Sequence, residues 1–417
     1  MYKNRVAITG YGAICPLGNS VPEIWKSIIE YRLGYAKYTH PNKSVTAKFF
    51  GRIEQPINVS KFSKKILKSM PRFGRLGLIA ADEAIEMAFG QEPLATLDEF
   101  YDPFDRGIIF GTGWGGEDTS IANNNSYIKY GVASPVANLE CMPSVGTGLM
   151  SINWNLRGYQ NTPVAACATG NIAIGDAYEI IRSGRAKMML AGAAESVLDD
   201  YNVWTLDVLG ALSKEQNDVE KACCPFSADR SGFVLTEGSA AMVLENMEDA
   251  VRRGANILGE ITGYANYSDA YDITAPAVDL KGRIMTIEKA IERAQLKNND
   301  IHYINAHGTS TPLNDANETQ AIKEVFQEDA KRIPISSTKS YTGHLVSASG
   351  IIESIFCLKT MEGDMVPATV NLKTPDEKLD LDFTPNEHRT VKGIENVLNI
   401  NYGFGGCNSA LVLRRYK

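Results

Sequence analysis

Three side chains combine residue type and setting in a way that suits nucleophilic chemistry, and Cys167 is the first. It stands in Ala165-Ala-Cys-Ala-Thr-Gly170, between an extended run at Thr162–Ala166 and a stretch that reads as a helix to about Ser183. The small residues Ala168, Gly170, Ala173, Gly175 and Ala177 keep that helix thin, and charge enters only at Asp176, Glu179 and Arg182. A helix that is small and apolar nearly all round is packed on several sides, and Gly184 is placed to cap its C-terminus. A cysteine at the N-terminal tip of such a helix meets unpaired backbone N–H groups and the positive end of the macrodipole. Both favour thiolate over thiol, and the same N–H groups can serve a developing oxyanion. Taken alone, Cys167 reads equally well as a buried structural cysteine.

The second and third are histidines. His307 follows the strand-like run Ile301–Ala306 and opens the hydroxyl-rich segment His307-Gly-Thr-Ser-Thr-Pro312. His344 closes Ser336-Ser-Thr-Lys-Ser-Tyr-Thr-Gly-His344, again just past a short strand, Ile333–Ser337. Open α/β folds place their sites outside the C-terminal ends of strands. Of five histidines in the chain, two take matching strand-end positions, which packing does not explain. A thiol with two imidazoles suits acyl transfer: the sulfur attacks, and neutral imidazoles donate to the oxyanion.

The elements that must hold these residues repeat. Arg5–Ala13 reads as a buried strand leaving into a Gly-rich turn, and its Ile-Thr-Gly-Tyr at Ile8 returns at Ile261. In the first half, strands at Gly107–Gly111 and Lys187–Gly192 flank the Cys167 helix. In the second, strands at Ile301–Ala306, Ile333–Ser337, Val397–Asn401 and Ser409–Leu413 surround a helix over Leu345–Met361. This alternation predicts layered α/β halves, 1–255 and 256–417, with mostly parallel pairing and one central helix in each.

Composition bounds the rest. The 417 residues are 44% hydrophobic and 22% charged, as for a folded globular chain. A net charge of -7 argues against nucleic acid as a general partner. No run approaches the ~18 apolar residues of a membrane span, and the N-terminus lacks a signal-peptide core, so the expectation is a cytoplasmic protein. The seven scattered cysteines form no Cys-x-x-Cys pair or His–Cys cluster, and no metal site is expected from them.

At these residues the sequence resembles the elongating β-ketoacyl-acyl carrier protein synthases, condensing enzymes of the type II ketosynthase kind. The motifs are Ala165–Gly170 around Cys167, Asn305-Ala-His-Gly-Thr-Ser-Thr311, Thr338-Lys-Ser-Tyr-Thr-Gly-His344, Pro225–Val234 and Asn401-Tyr-Gly-Phe-Gly-Gly406. Cys167 and His307 lie 140 residues apart, and His307 and His344 lie 37 apart, which also fits. The resemblance covers essentially the whole chain. It implies a thiolase fold in an α/β/α/β/α arrangement, a dimer, and no cofactor. It further implies decarboxylative condensation of a malonyl thioester with an acyl group held on Cys167, in fatty acid or specialised polyketide or polyene synthesis. It leaves open which histidine acts as base.

Other roles rest on the same resemblance. Lys339 would organise the site electrostatically with Glu318 or Glu353. The backbone N–H groups of Cys167 and Phe404 would form a second oxyanion hole, with Phe404 as a gate. Thr309 and Thr342 would contact the pantetheine arm of an acyl carrier protein, and Lys64, Lys65 and Lys68 would attract that acidic partner. Some positions depart from the family pattern. Trp114 replaces a smaller residue in the acyl pocket and points to short or unusual primers, while Leu206, where an aromatic is common, restores some room. Val132, Ala133 and Gly210 stand where basic residues are usual, Ala168 replaces Ser or Thr, and Thr236–Ala240 is less Gly-rich. Two rivals remain: a thiolase, with Cys407 as second cysteine, and a subunit that shapes chain length within a heterodimer.

Overall fold

A computed structural model describes residues 4–196 and 198–417. Ten strands form one large sheet: β1 (Val6–Ile14), β2 (Arg106–Gly111), β3 (Gln160–Asn161), β4 (Met188–Glu195) and β5 (Gly238–Asn246), then β6 (Gly259–Ser268), β7 (Tyr303–Asn305), β8 (Ile335–Ser336), β9 (Asn396–Gly403) and β10 (Cys407–Arg414). Their spatial order is β8-β7-β9-β10-β6-β1-β5-β4-β2-β3. Within this sheet, among the described residues, the two halves pair only where Val6–Ile8 meets Gly259–Ile261. Outward from that seam, each half runs through two antiparallel pairings and then two parallel ones.

Mostly parallel pairing is therefore corrected, since five of the nine pairings among the described residues are antiparallel. Sequential strand–helix alternation concealed two antiparallel hairpin-like partners at the middle of each half. The run Thr162–Ala166 is also not strand: pairing stops at Asn161. Pro163 has no N–H to donate, and its carbonyl instead accepts from Thr112 at 3.3 Å.

Five helices build the layers. α1 (Arg72–Phe89) covers the first half, and α3 (Lys281–Arg293) with α4 (Pro312–Phe326) covers the second. Between the halves lie α2 (Thr169–Arg182) and α5 (Ser349–Gly363), sharing a core with residues of both sheet halves. The result is the expected α/β/α/β/α layering. The repeated Ile-Thr-Gly-Tyr has a physical reason. A Cβ on Gly10 would fall 2.1 Å from the Ala84 carbonyl of α1, and one on Gly263 would fall 2.1 Å from the Ala290 carbonyl of α3. Each outer helix rides so close over its central strand that only glycine fits beneath it. No helix among the described residues is long and apolar enough to cross a membrane.

Candidate active site

Cys167 sits in a single 3₁₀ turn, Ala166–Ala168, that leads directly into α2. The turn is held tightly. Ala166 adopts φ 46, a left-handed conformation that costs roughly 1–2 kcal/mol for a residue with a Cβ. The Ala165 N–H donates to Thr169 Oγ1 at 2.9 Å and so closes the bend. The end of β9 presses against it: a Cβ on Gly403 would lie 2.5 Å from the Ala165 carbonyl and 3.3 Å from the Cys167 nitrogen. Cys167 is 8% exposed and opens on a cavity of ≈ 380 Å³.

The histidines reach the same cavity from the second half. Past β7, the His307 and Gly308 N–H groups donate to the Glu318 carboxylate of α4 at 2.7 and 2.8 Å, which fixes the loop. His344 arrives from beyond β8, its N–H donating to the Val234 carbonyl at 2.7 Å. His344 Nε2 lies 3.0 Å from Cys167 Sγ. The imidazole rings meet edge to face, centroids 5.5 Å apart, and one donor atom from each of the three residues lies within 4.8 Å of the others. A thiol with two imidazoles is also a donor set that zinc accepts, and among the described residues it is the one His/Cys/Asp/Glu group with such geometry.

Hydrogen bonding sets the tautomer of His344. The Val346 N–H donates to His344 Nδ1 at 3.2 Å, so the ring proton is on Nε2 and points at the sulfur. The Asn401 amide donates to Glu353 at 2.7 Å, and the same amide nitrogen is 3.4 Å from His307 Nδ1. The same amide nitrogen also donates to the Ile400 carbonyl at 2.8 Å. Burial, reinforced by the positive charge of Lys339, holds both imidazoles well below their ordinary pKa, so both are neutral. Lys339 Nζ pairs with Glu353 at 2.5 Å in a fully enclosed ion pair. Glu353, not Glu318, is thus its partner.

The thiol itself differs from expectation. Burial pushes the Cys167 pKa up to about 12, against the lowering field of Lys339 and the adjacent backbone N–H. The helix tip favours thiolate as anticipated, yet desolvation outweighs it in the closed cavity.

The sequence matches two family models: Beta-ketoacyl synthase, N-terminal domain, over residues 3–250, and Beta-ketoacyl synthase, C-terminal domain, over residues 258–373. The chain belongs to the beta-ketoacyl synthase family. Relatives include a 3-oxoacyl-[acyl-carrier-protein] synthase 2 of Synechocystis, 38% identical over 100% of this chain and 99% of its own length. One of the same name from Staphylococcus aureus is 37% identical, with 99% of each chain covered. Among solved structures, a beta-ketoacyl synthase from Burkholderia phymatum superimposes with TM-score 0.90 at 32% identity over 100% of both chains. A type II PKS ketosynthase, solved with its acyl-carrier protein and bound to the hexaketide, gives TM-score 0.89 at 32% identity, covering 99% of this chain and 100% of that one.

In this beta-ketoacyl synthase the remaining expected residues divide. Phe404 and Thr309 line the cavity beside Cys167. Thr342 does not line it; its hydroxyl donates to the carbonyl of Gly343, which caps the short helix Lys339–Thr342, at 2.7 Å. Trp114 and Leu206 join Cys167 in one apolar cluster with Val203, Phe233 and Val346. Lys64, Lys65 and Lys68 are exposed on a short helix at Lys64–Leu67, away from the cavity lining. Cys407 does not line the cavity either, so no second cysteine joins the His pair. Three residues went unnoticed in the sequence. Asn401 links His307 to Glu353; it lay inside a recognised motif without a role. Glu195 accepts from the Gly113 N–H at 2.7 Å and from Thr112 Oγ1 at 3.1 Å, fixing the loop that carries Trp114. Arg283 lines the cavity from α3, where no sequence signal marked it.

Proposed function

We propose that this beta-ketoacyl synthase joins acyl units by decarboxylative condensation, with Cys167 as the nucleophile. The observation that carries the reading is the convergence of one thiol and two neutral imidazoles on a single cavity. In the first step Cys167 Sγ attacks an acyl thioester, and its proton departs with the released pantetheine thiol. The oxyanion of that step is held by the backbone N–H groups of Cys167 and Phe404, and the close passage of Gly403 past the Cys167 nitrogen supports this. In the second, a malonyl thioester loses carbon dioxide, and the enolate oxygen is stabilised by the Nε2–H groups of His307 and His344. The enolate carbon attacks the acyl group, and the C–S bond to Cys167 breaks. The sulfur takes up one proton to restore the thiol.

Both histidines act in this scheme as hydrogen-bond donors. A base role would require protonation of a ring whose burial beside Lys339 disfavours the cation. Lys339 and Glu353 are positioning residues: through Asn401 they orient His307, and the Lys339 charge adds to the burial that keeps both rings neutral. Thr309 is placed for the pantetheine arm. Trp114, held by the Glu195 loop in the apolar cluster around Cys167, limits the length of the acyl group. Residues 1–255 act as the half that supplies the nucleophile and 256–417 as the half that supplies the donors.

The partners follow from the same reading. An acyl carrier protein would deliver both thioesters, drawn in part to the exposed Lys64, Lys65 and Lys68. The protein acts in the cytoplasm as a dimer. Supporting this, the helix Glu117–Tyr130 buries none of its residues here yet exposes Tyr127, Ile128 and Tyr130. The partner is a second copy or a related subunit; one similar structure, at 27% identity and TM-score 0.87, is the ishigamide ketosynthase/chain length factor. The deciding experiment is intact-protein mass spectrometry after incubation with a panel of acyl-carrier thioesters. Acyl mass should appear on the wild type and be absent from Cys167→Ala; acylation of that variant would end the reading.

A further inference from the structure

One cation on the cavity wall has no acidic partner among the described residues. Arg283, in the first turn of α3, is 4% exposed and lines the cavity with Cys167, His307 and His344. Its guanidinium lies 3.8 Å from the centre of the Tyr402 ring. Its Nε is buried without any hydrogen bond, and so is the Tyr402 hydroxyl. Its one hydrogen bond is long: Nη1 donates to the Asn314 carbonyl at 3.5 Å. It forms no ion pair among the described residues. The buried cation nearest in setting, Lys339, is matched by Glu353.

A buried, unpaired guanidinium is expensive to keep, and its forked donors fit a carboxylate. The field of Glu318, Asp269 and Asp315 favours the cation without any of them approaching as a partner, while burial opposes it. The cavity is where the proposed reaction brings an anion. Acyl primers are neutral, whereas the malonyl donor carries a free carboxylate. The other cation on the lining, Lys214, is exposed, and both histidines are neutral. Tyr402 separates Arg283 from His307, with ring centroids of Tyr402 and His307 5.7 Å apart. An anion held there lies within the cavity, one aromatic ring away from the imidazoles.

Building on the condensation reading above, we propose that Arg283, with the Tyr402 hydroxyl, captures the carboxylate of the malonyl donor before decarboxylation and so selects donor over primer. Pairing stabilises the bound ground state more than the transition state, in which that charge leaves. Arg283 is thus a binding residue whose removal is felt in KM for the malonyl thioester, not in kcat.

The test is steady-state decarboxylation of malonyl-pantetheine, alongside acylation of Cys167 by hexanoyl-pantetheine read by intact mass. Arg283→Met should raise KM for the malonyl thioester about tenfold or more, with kcat unchanged or slightly higher and acylation by hexanoyl-pantetheine unaltered. Arg283→Lys should recover part of the loss. An unchanged KM, or an equal loss in both half-reactions, would overturn the proposal. A measurement on the wild type does not depend on the variant's folding. Free malonate should slow alkylation of Cys167 by iodoacetamide while uncharged malonamide does not, and equal effects of the two would count against Arg283. Failure of the condensation reading would look different: wild-type protein would neither gain acyl mass nor consume malonyl thioester, and the proposal would fall with it.

Discussion

The tips of the two central helices are built alike and behave differently. Ala166-Cys-Ala-Thr-Gly170 and Val346-Ser-Ala-Ser-Gly350 each form one 3₁₀ turn running into a long helix, α2 or α5. Each turn opens on a residue with positive φ, 46 at Ala166 and 49 at Val346, although neither is glycine. Their glycines face one another: a Cβ on Gly170 would fall 2.8 Å from the Ser347 carbonyl, and one on Gly350 would fall 2.6 Å from the Asn171 nitrogen. At the nucleophile's position the second tip carries Ser347, whose hydroxyl donates to the Ala194 carbonyl at 2.9 Å in a closed core. Cys167 has a cavity in front of it and His344 beside it. A strained helix tip is therefore not a site by itself. The first half's tip carries the thiol proposed as nucleophile, and the second uses the strained Val346 N–H to set the tautomer of His344.

The sharpest way to break this comparison is to move the thiol across it. Cys167→Ala combined with Ser347→Cys should show no acylation at either position by peptide mass mapping. A modified residue 347 would mean that tip geometry alone suffices. Next in size is the donor from the second half. His344→Ala should lower condensation by about 10²–10³-fold, as for loss of one oxyanion donor. Residual acyl transfer should persist, because the backbone N–H groups remain; single-turnover assays would separate the two steps.

The third prediction concerns the apolar surroundings that only the first tip has. Trp114→Gly should raise kcat/KM for long acyl donors by about tenfold relative to short ones, as expected when a few methylenes regain a pocket. Wild-type protein that already prefers long donors would remove Trp114 as the limit. The fourth uses charge. With its pKa near 12, Cys167 is a thiol at neutral pH, and iodoacetamide alkylation should climb steadily from pH 7 to 10 without a neutral inflection. Lys339 lowers that pKa; its loss in Lys339→Met raises the pKa further, so alkylation at any one pH should slow. Faster alkylation would contradict the sign. The smallest effect belongs to the silent tip: Ser347→Ala should cost about 1 kcal/mol of stability in denaturant unfolding and leave acylation of Cys167 nearly untouched.

Much of this was legible along the chain because it depends on short-range pattern. The Ile-Thr-Gly-Tyr repeat marked the two central strands, and its glycine proved to be the contact point beneath each outer helix. The strand-end settings of His307 and His344 and the helix-tip setting of Cys167 followed from local order of elements. What stayed hidden depends on contacts between distant segments. Glu353 rather than Glu318 became the partner of Lys339 because α5 crosses that lysine, while Glu318 was taken up by the His307 loop. The antiparallel pairings beside the seam could not be read from strand–helix alternation.

By itself, the sequence singled out Cys167, His307 and His344 and the motifs of the family, since each is written in residue type and spacing. Tertiary structure alone decided the protonation states, the choice of acid for Lys339, the idle hydroxyl of Thr342 and the lone charge of Arg283. The physical reason is that charge and tautomer answer to burial and to neighbours within a few ångströms. Those neighbours are brought together by the packing of two halves that the chain order keeps far apart.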